Sequence, residues 1–173
     1  MPVPLPMTEH RHGSGEGAAL PVQTYRMLVA GVLPQIRELF PWDLEQKLRD
    51  EPETLVVDIR ETEEFAQGAI AGALHVPRGI LEGACDWGYS DTVPALVQAR
   101  ERPLVLVCRS GNRSALAAHT LQLMGYRDVW SLRTGVRGWN DYELPLFDRQ
   151  GQPVDIDEAE ARLSPPVTPD QLG

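Results

Sequence analysis

The sequence predicts an α/β domain with a mostly parallel central sheet, and three observations lead there. Short apolar runs, "TLVVDIR", "PLVLVC" and "VWSL", recur along the chain and are rich in β-branched residues. The first two are continuously apolar rather than alternating, the pattern of strands covered on both faces. Between the runs lie segments with helical spacing, so strands and helices alternate through most of the 173 residues, which is the signature of a parallel sheet flanked by helices. A chain of this length with 42% apolar residues suits one core with tails.

Residues 1–21 are rich in Pro, Gly and Ser with little apolar periodicity and read as a flexible arm. His10 and His12 lie on it, a weak basis for a metal site. Tyr25, Leu28, Val29 and Val32 then recur at helical spacing, and Pro34 stops the helix before Ile36. Residues 22–34 are therefore a short amphipathic helix, packed on the domain or on a second copy in a homodimer. The folded domain spans residues 35–147. It opens with a strand from Ile36 to Leu39, followed by Pro41 at a first helical position and an amphipathic helix through Leu48. "TLVVDIR" suits a buried parallel strand, "ETEEFAQG" a short helix closed by Gly68, and "GALHVP" a strand stopped by Pro77. Gly83, Gly88 and Pro94 divide the next stretch into a helix pair or a helix plus loop. "PLVLVC" is a strand ending at Cys108, "RSALAAHTLQLMG" a strong helix capped by Gly125, "VWSL" the last strand, and "TGVRGWNDYELPL" a last helix and exit. Residues 148–173 read as an acidic, Pro-rich tail with only a weak helix near Asp157 to Leu163. Trp42, Trp130 and Trp139 fit the core and its rim, Trp87 the entrance of a pocket, and His75 and His119 structural positions.

The formal net charge of -9 argues against nucleic acid or an anionic membrane as partner, because polyanions are bound by clustered Lys and Arg. The sequence has no run of the roughly 18 apolar residues that a membrane span needs, and its first residues lack the pattern of a leader. A soluble, cytoplasmic protein is expected. The two cysteines, Cys85 and Cys108, are too few for a disulfide framework and lack the Cys/His spacing of a zinc site.

Each cysteine is therefore read alone. Cys85 lies in the broken helical stretch and reads as a half-buried helix residue, or else as a resolving thiol for an oxidised Cys108. Cys108 stands at the carboxyl end of a parallel strand, where ligands of such sheets bind. The loop after it, "CRSGNRS", runs into a helix N-terminus. Small and polar residues there turn backbone N–H groups inward, and with the helix dipole they stabilise an anion at the centre. The guest anion would be the sulfur itself, a thiolate of lowered pKa, with Arg109 and Arg113 adding positive potential. Gly111 permits the turn, and Ser110, Asn112 and Ser114 can brace the loop or cap the helix. An inert core cysteine is the competing reading, but a plain strand-to-helix connection has no need of two arginines flanking Gly-Asn.

With these residues in view, the sequence resembles the rhodanese-like domain family over roughly Leu39 to Leu146. "DIRETEEFAQGAIAGALHVP" looks like the family's first signature, "GYRDVWSLRTGVRGW" like its second, and "CRSGNRS" is similar to its active-site loop. Two departures stand out: Ala69 where the first signature commonly has His, and Thr134-Gly135 where the second commonly has Gly-Gly. Thr134 would alter the pocket rim. The resemblance implies a three-layer domain and a sulfurtransferase in which Cys108 cycles through a persulfide. A donor such as thiosulfate would supply the sulfur and release sulfite, and a thiol or cyanide would accept it. Arg109, Ser110, Gly111, Asn112, Arg113 and Ser114 would cradle the anion. Asp58 would brace the loop through hydrogen bonds, Arg60 would support it or form a surface ion pair or helix cap, and Glu64 would be structural. No metal or organic cofactor is implied, and a sulfur-relay protein is a plausible partner.

Two rivals stand beside this reading. A cysteine-dependent phosphatase or arsenate reductase has five residues between Cys and Arg, whereas "CRSGNR" has four, a smaller cradle that suits sulfur better than a tetrahedral phosphate; such an enzyme also needs an acid for the leaving group. A noncatalytic binding module is the other, and such modules usually lose the cysteine.

Overall fold

Five short strands form the sheet: β1 (Arg37–Leu39), β2 (Leu55–Asp58), β3 (Leu74–His75), β4 (Leu104–Val107) and β5 (Val129–Leu132). Their order is β1-β5-β4-β2-β3, and every neighbouring pair is parallel. The computed structural model describes residues 20–173; His10, His12 and nearly all of the expected arm lie outside them. Eight helices accompany the sheet among the described residues: α1 (Tyr25–Val32), α2 (Pro41–Asp50), α3 (Thr62–Ala66), α4 (Leu81–Ala84), α5 (Pro94–Val97), α6 (Asn112–Leu123), α7 (Gly135–Asp141) and α8 (Ile156–Leu163). None is long and apolar enough to cross a membrane.

The central strands show why their sequences are apolar at successive positions. Side chains alternate between faces along a strand, so Leu104 and Leu106 of β4 join Val57 of β2 in one core, with Leu81, Leu96, Ala117, Ala118 and Leu121 from α4, α5 and α6. Val105 and Val107 join Val56 in the other, with Leu44, Val136 and Trp139 from α2 and α7. Both faces are covered. The Ala-rich α6 is also buried on a second side, where Val29 and Val32 of α1 pack on Ala115 and Leu116. Of the two placements expected for the amphipathic N-terminal helix, the structure thus has the one against its own domain. Thr24 caps that helix by accepting a hydrogen bond from the Met27 N–H at 3.1 Å.

The helix expected near Asp157 to Leu163 is formed as α8, and the chain around it packs back on the domain. Phe147 exchanges backbone hydrogen bonds with Ala69, both 2.9 Å, and Asp155 then caps α8 by accepting from the N–H groups of Asp157 and Glu158, each at 3.0 Å. Ala159 and Leu163, four residues apart on one helix face, are buried in the second core beside Leu146. Two apolar positions among many acids were a thin sequence signal, yet they dock the helix against α7.

The packing of α8 has a measurable consequence. Leu163 is 7% exposed, so Leu163→Ala should destabilise the protein by about 2–3 kcal/mol. Urea unfolding followed by circular dichroism checks this; a change within about 0.5 kcal/mol, the range of surface substitutions, would mean that the helix contributes little to the core.

Candidate active site

Strand β4 delivers Cys108 to the carboxyl edge of the sheet, where it is 1% exposed. The chain then turns through Ser110 and Gly111 into α6. Gly111 has φ +95°, and a Cβ there would lie 3.1 Å from the backbone nitrogen of Thr134, so both conformation and space favour glycine. The turn aims two backbone donors at the sulfur: the Gly111 N–H at 3.1 Å and the Ser114 N–H at 3.3 Å. The thiol in turn donates to Ser114 Oγ at 3.4 Å. Ser114 Oγ donates to the Gly111 carbonyl at 3.1 Å and shares a 2.7 Å hydrogen bond with Ser131 Oγ on β5. A hydroxyl can rotate to donate or accept, so the Ser114–Ser131 pair can accept from a thiol and donate to a thiolate.

The loop is clamped from below by α7. The N–H groups of Val136 and Arg137, in the first turn of that helix, donate to the carbonyls of Cys108 and Arg109 at 2.9 and 3.0 Å. Satisfying these helix N-terminal donors ties the loop carbonyls to α7 while two loop N–H groups face the sulfur. The contact requires glycine at position 135: a Cβ there would lie 2.4 Å from the Cys108 carbonyl oxygen, and φ is +62°. Thr134 also has a left-handed backbone, φ 68°, which costs a β-branched residue on the order of 1–3 kcal/mol. Its hydroxyl bonds the Arg133 carbonyl, and Gly138 leaves the space that its side chain fills, since a Cβ there would lie 1.8 Å from Thr134 Oγ1.

The two arginines of the loop differ. Arg113 binds Glu64 of α3 through two hydrogen bonds of 2.8 Å each, a bidentate pair that ties the start of α6 to α3. Burial pushes the Glu64 carboxyl up, but the Arg113 hydrogen bonds and the Glu61 backbone N–H outweigh it and hold the group below the usual carboxylate range. The same pair moves Arg113 up. Arg109 is half-buried, and among the described residues no acceptor meets its guanidinium. The side chains of Ser110 and Asn112 make no hydrogen bond among the described residues, so of the three polar side chains expected to brace the loop, Ser114 does so.

Asp58 and Arg60 require a correction. Asp58, fully buried at the end of β2, does not bond the cysteine loop; it accepts from the backbone N–H and guanidinium of Arg60 at 2.7–3.1 Å. Arg60 is itself 1% exposed and donates onward to the Gly68 carbonyl at 2.8 Å. The pair is a buried brace of the loop that carries α3, neither a surface ion pair nor a cap. Cys85 is fully buried rather than half-buried. Burial pushes its thiol up, against the opposing effects of Tyr126 and Arg100, and a suppressed thiolate is a poor resolving nucleophile.

Three residues of this neighbourhood were not singled out by the sequence as site residues. Ser131 reads as an ordinary residue of a short strand until β5 places it beside Ser114. Tyr25 of α1 lies within electrostatic reach of Cys108, Arg113 and Arg109: burial pushes its phenol up, Cys108 adds to this, and the two arginines pull it down. Arg162 of α8 lines a cleft together with Arg109 and Glu64. No sequence signal marks any of the three, because each reaches the site from another element.

Comparison with known proteins follows the same lines. The family model of the rhodanese-like domain matches residues 41–142. A sulfurtransferase of Allochromatium vinosum is 34% identical over 116 residues, which are 67% of this chain and 99% of that protein. Among solved structures, a Rhodopseudomonas palustris protein of unknown function, a possible tyrosine phosphatase, superposes with a TM-score of 0.66 and 27% identity, over 75% of this chain and 98% of that one. The thiosulfate sulfurtransferase of Pseudomonas aeruginosa superposes with a TM-score of 0.57 over 78% of this chain and 26% of that one; at 21% identity this likeness concerns the fold alone.

Two outcomes follow from the clamp and the ion pair. Gly135→Ala should lower the thermal midpoint and displace the loop, which amide and side-chain NMR shifts of Ser114 and Cys108 would register; an unshifted loop in a stable variant would remove the clamp from the account. For Glu64, a depressed folded-state pKa means stability present above the ordinary value near ~4.3 and lost as pH falls through the folded value. Wild type should therefore exceed Glu64→Gln in urea midpoint at pH 7, with the gap closing below about pH 4. A gap independent of pH would place the effect of the substitution outside the ion pair.

Proposed function

The chain belongs to the rhodanese-like domain family, and from that premise we propose that it is a sulfurtransferase in which Cys108 carries sulfane sulfur as a persulfide. One observation carries the reading: the Gly111 and Ser114 N–H groups converge on Cys108 Sγ with the Ser114 hydroxyl beside them. Such a ring of donors stabilises an anion, first a thiolate and then a persulfide. In the first half-reaction the thiolate attacks the sulfane sulfur of a donor such as thiosulfate. A new S–S bond forms, the donor's S–S bond breaks, and sulfite leaves with the electron pair. In the second, an acceptor thiolate or cyanide attacks the outer sulfur and the Cys108 thiolate departs, regenerating the enzyme. No oxidant is consumed and no proton must be moved by a side chain once the thiolate exists.

In this reading the loop backbone holds the sulfur, Ser114 and Ser131 adjust their hydroxyl protons to its charge, and the Arg113–Glu64 pair fixes the start of α6. Thiosulfate as donor, cyanide or a thiol as acceptor, and a sulfur-relay protein as natural partner are all part of the proposal. The phosphatase alternative draws support from the Rhodopseudomonas relative. Against it stand the four-residue spacing from Cys108 to Arg113 and the Glu64 carboxylate already engaged by that arginine.

The test is the intact mass of the reduced protein after thiosulfate treatment, with Cys108→Ser and Cys85→Ser run beside it. The expected result is a gain of one sulfur atom that requires Cys108, survives Cys85→Ser and is discharged by cyanide. An adduct that persists in Cys108→Ser would remove Cys108 from the mechanism. Failure of thiosulfate and of other sulfane donors, together with Cys108-dependent hydrolysis of p-nitrophenyl phosphate, would replace the proposal with the phosphatase reading.

A further inference from the structure

Ser131 lies outside the cysteine loop, on β5, and is fully buried. Its hydroxyl has one hydrogen-bond partner among the described residues, Ser114 Oγ at 2.7 Å. Ser114 Oγ has three: it donates to the Gly111 carbonyl at 3.1 Å, accepts from the Cys108 thiol at 3.4 Å, and meets Ser131. A hydroxyl has one proton and two lone pairs. The Ser114 proton is spent on Gly111, so the contact between the two serines uses the Ser131 proton; pointed elsewhere, that buried O–H would have no acceptor. With the thiol protonated, Ser114 Oγ is therefore saturated, giving one hydrogen bond and receiving two. Loss of the thiol proton to solvent changes this count. The sulfur then only accepts, and it already takes the Gly111 and Ser114 N–H groups. The Ser114 O–H can turn from the Gly111 carbonyl to the sulfur, and that carbonyl keeps a donor, because the Ala115 N–H also reaches it at 3.1 Å. The Ser131 proton stays on Ser114 Oγ. Without it, a buried oxygen would receive no hydrogen bond in the anionic state alone.

We propose that Ser131 is a positioning residue for Cys108: by donating to Ser114 in both protonation states it lets the Ser114 hydroxyl turn to the sulfur, and so favours the thiolate over the thiol. Of the two hydroxyls, Ser114 makes the turn and Ser131 backs it. This role stands on the hydrogen-bond geometry, whereas its consequence for sulfur transfer rests on the sulfurtransferase reading above. In that reading, loading consumes the thiolate and discharge regenerates it: the acceptor bonds to the outer sulfur, the S–S bond to Cys108 breaks, and its electron pair returns to Cys108 Sγ. Ser131 therefore assists the departure of the Cys108 thiolate more than its attack. The charged and titratable groups that bear on the sulfur come from other elements: Arg109 and Arg113, Glu64 of α3 bound to Arg113, and Tyr25 of α1. Asp58 and Arg60 close on each other at the end of β2, and α7 meets the loop through backbone N–H groups. Substitution of Ser131 removes none of these.

The pH profile of Cys108 alkylation by iodoacetamide, read at Cys108 by peptide mass, tests the role without sulfur transfer. Ser131→Ala leaves Ser114 with the Gly111 carbonyl and the thiol as partners, so it orphans no buried donor. It should move the pH of half-maximal rate up by roughly half a unit to one unit, the scale of one lost hydrogen bond. The alkaline plateau should equal or exceed that of wild type, because a more basic thiolate is the better nucleophile. Ser131→Thr keeps the hydroxyl and should recover most of the shift. In a Ser114→Ala background, Ser131→Ala should add no further shift, since the donor then has nothing to act through. An unmoved profile in folded Ser131→Ala, a rate lowered by one factor at every pH, or the same shift in both backgrounds would overturn the proposal. In the transfer reaction, Ser131→Ala should slow cyanide discharge of the loaded protein about twofold, the leaving-group effect of such a shift, with loading by thiosulfate at alkaline pH not slowed. A shifted alkylation profile in a protein that takes sulfur from no donor would retain the role of Ser131 while refuting the sulfurtransferase reading.

Discussion

The site depends on one constraint: the backbone after Cys108 must present its N–H groups inward while its carbonyls find partners elsewhere. Helix α7 supplies those partners. Its first-turn donors take the carbonyls of Cys108 and Arg109, and Gly135 lets the two chains approach to a distance that no side chain would allow. With the carbonyls held, Gly111 and Ser114 direct their N–H groups to the sulfur. Backbone donors arranged in this way need no reorganisation when negative charge appears. The donor environment of the thiol thus depends on a helix that begins 27 residues beyond it in sequence.

Around that loop the structure places two ion pairs with different duties. Asp58 and Arg60 are nearly removed from water, and the remaining Arg60 donor goes to the Gly68 carbonyl. Such a pair gains from completeness: its charges would be costly to bury singly, and removal of either partner would leave the other unmatched. The Arg113–Glu64 pair is half-buried and connects α6 to α3 across the mouth of the site. It leaves Arg109 as the cation of the loop with no fixed partner among the described residues, so the two arginines differ in that one is paired with α3 and the other is not.

Thr134 shows how a departure from the family's pattern is accommodated. A residue with a Cβ stands in left-handed backbone where glycine is common, and Gly138 one turn later leaves the room its side chain occupies. The Thr134 hydroxyl is held by the Arg133 carbonyl. The substitution at position 69 is of another kind: Ala69 lies in the backbone pairing with Phe147, in which the hydrogen bonds are independent of the side chain.

The sequence by itself determined what short-range pattern encodes. Continuous apolar runs gave the buried strands, helical spacing gave the helices, and the Gly-containing heptapeptide that begins at the last residue of "PLVLVC" located Cys108 at a strand end; all of these are written within a few residues. Tertiary structure alone decided which distant side chains meet. Ser131 reaches Ser114 because β5 lies beside β4, Glu64 reaches Arg113 across 49 residues, Asp58 turns to Arg60 rather than to the loop, and α8 brings Arg162 to the cleft of Arg109. Periodicity shows that a face is apolar or that a charge must be answered, but it does not name the partner. The strand order and the packing of helices on the sheet choose it, because only they fix the distances on which hydrogen bonds, ion pairs and burial depend.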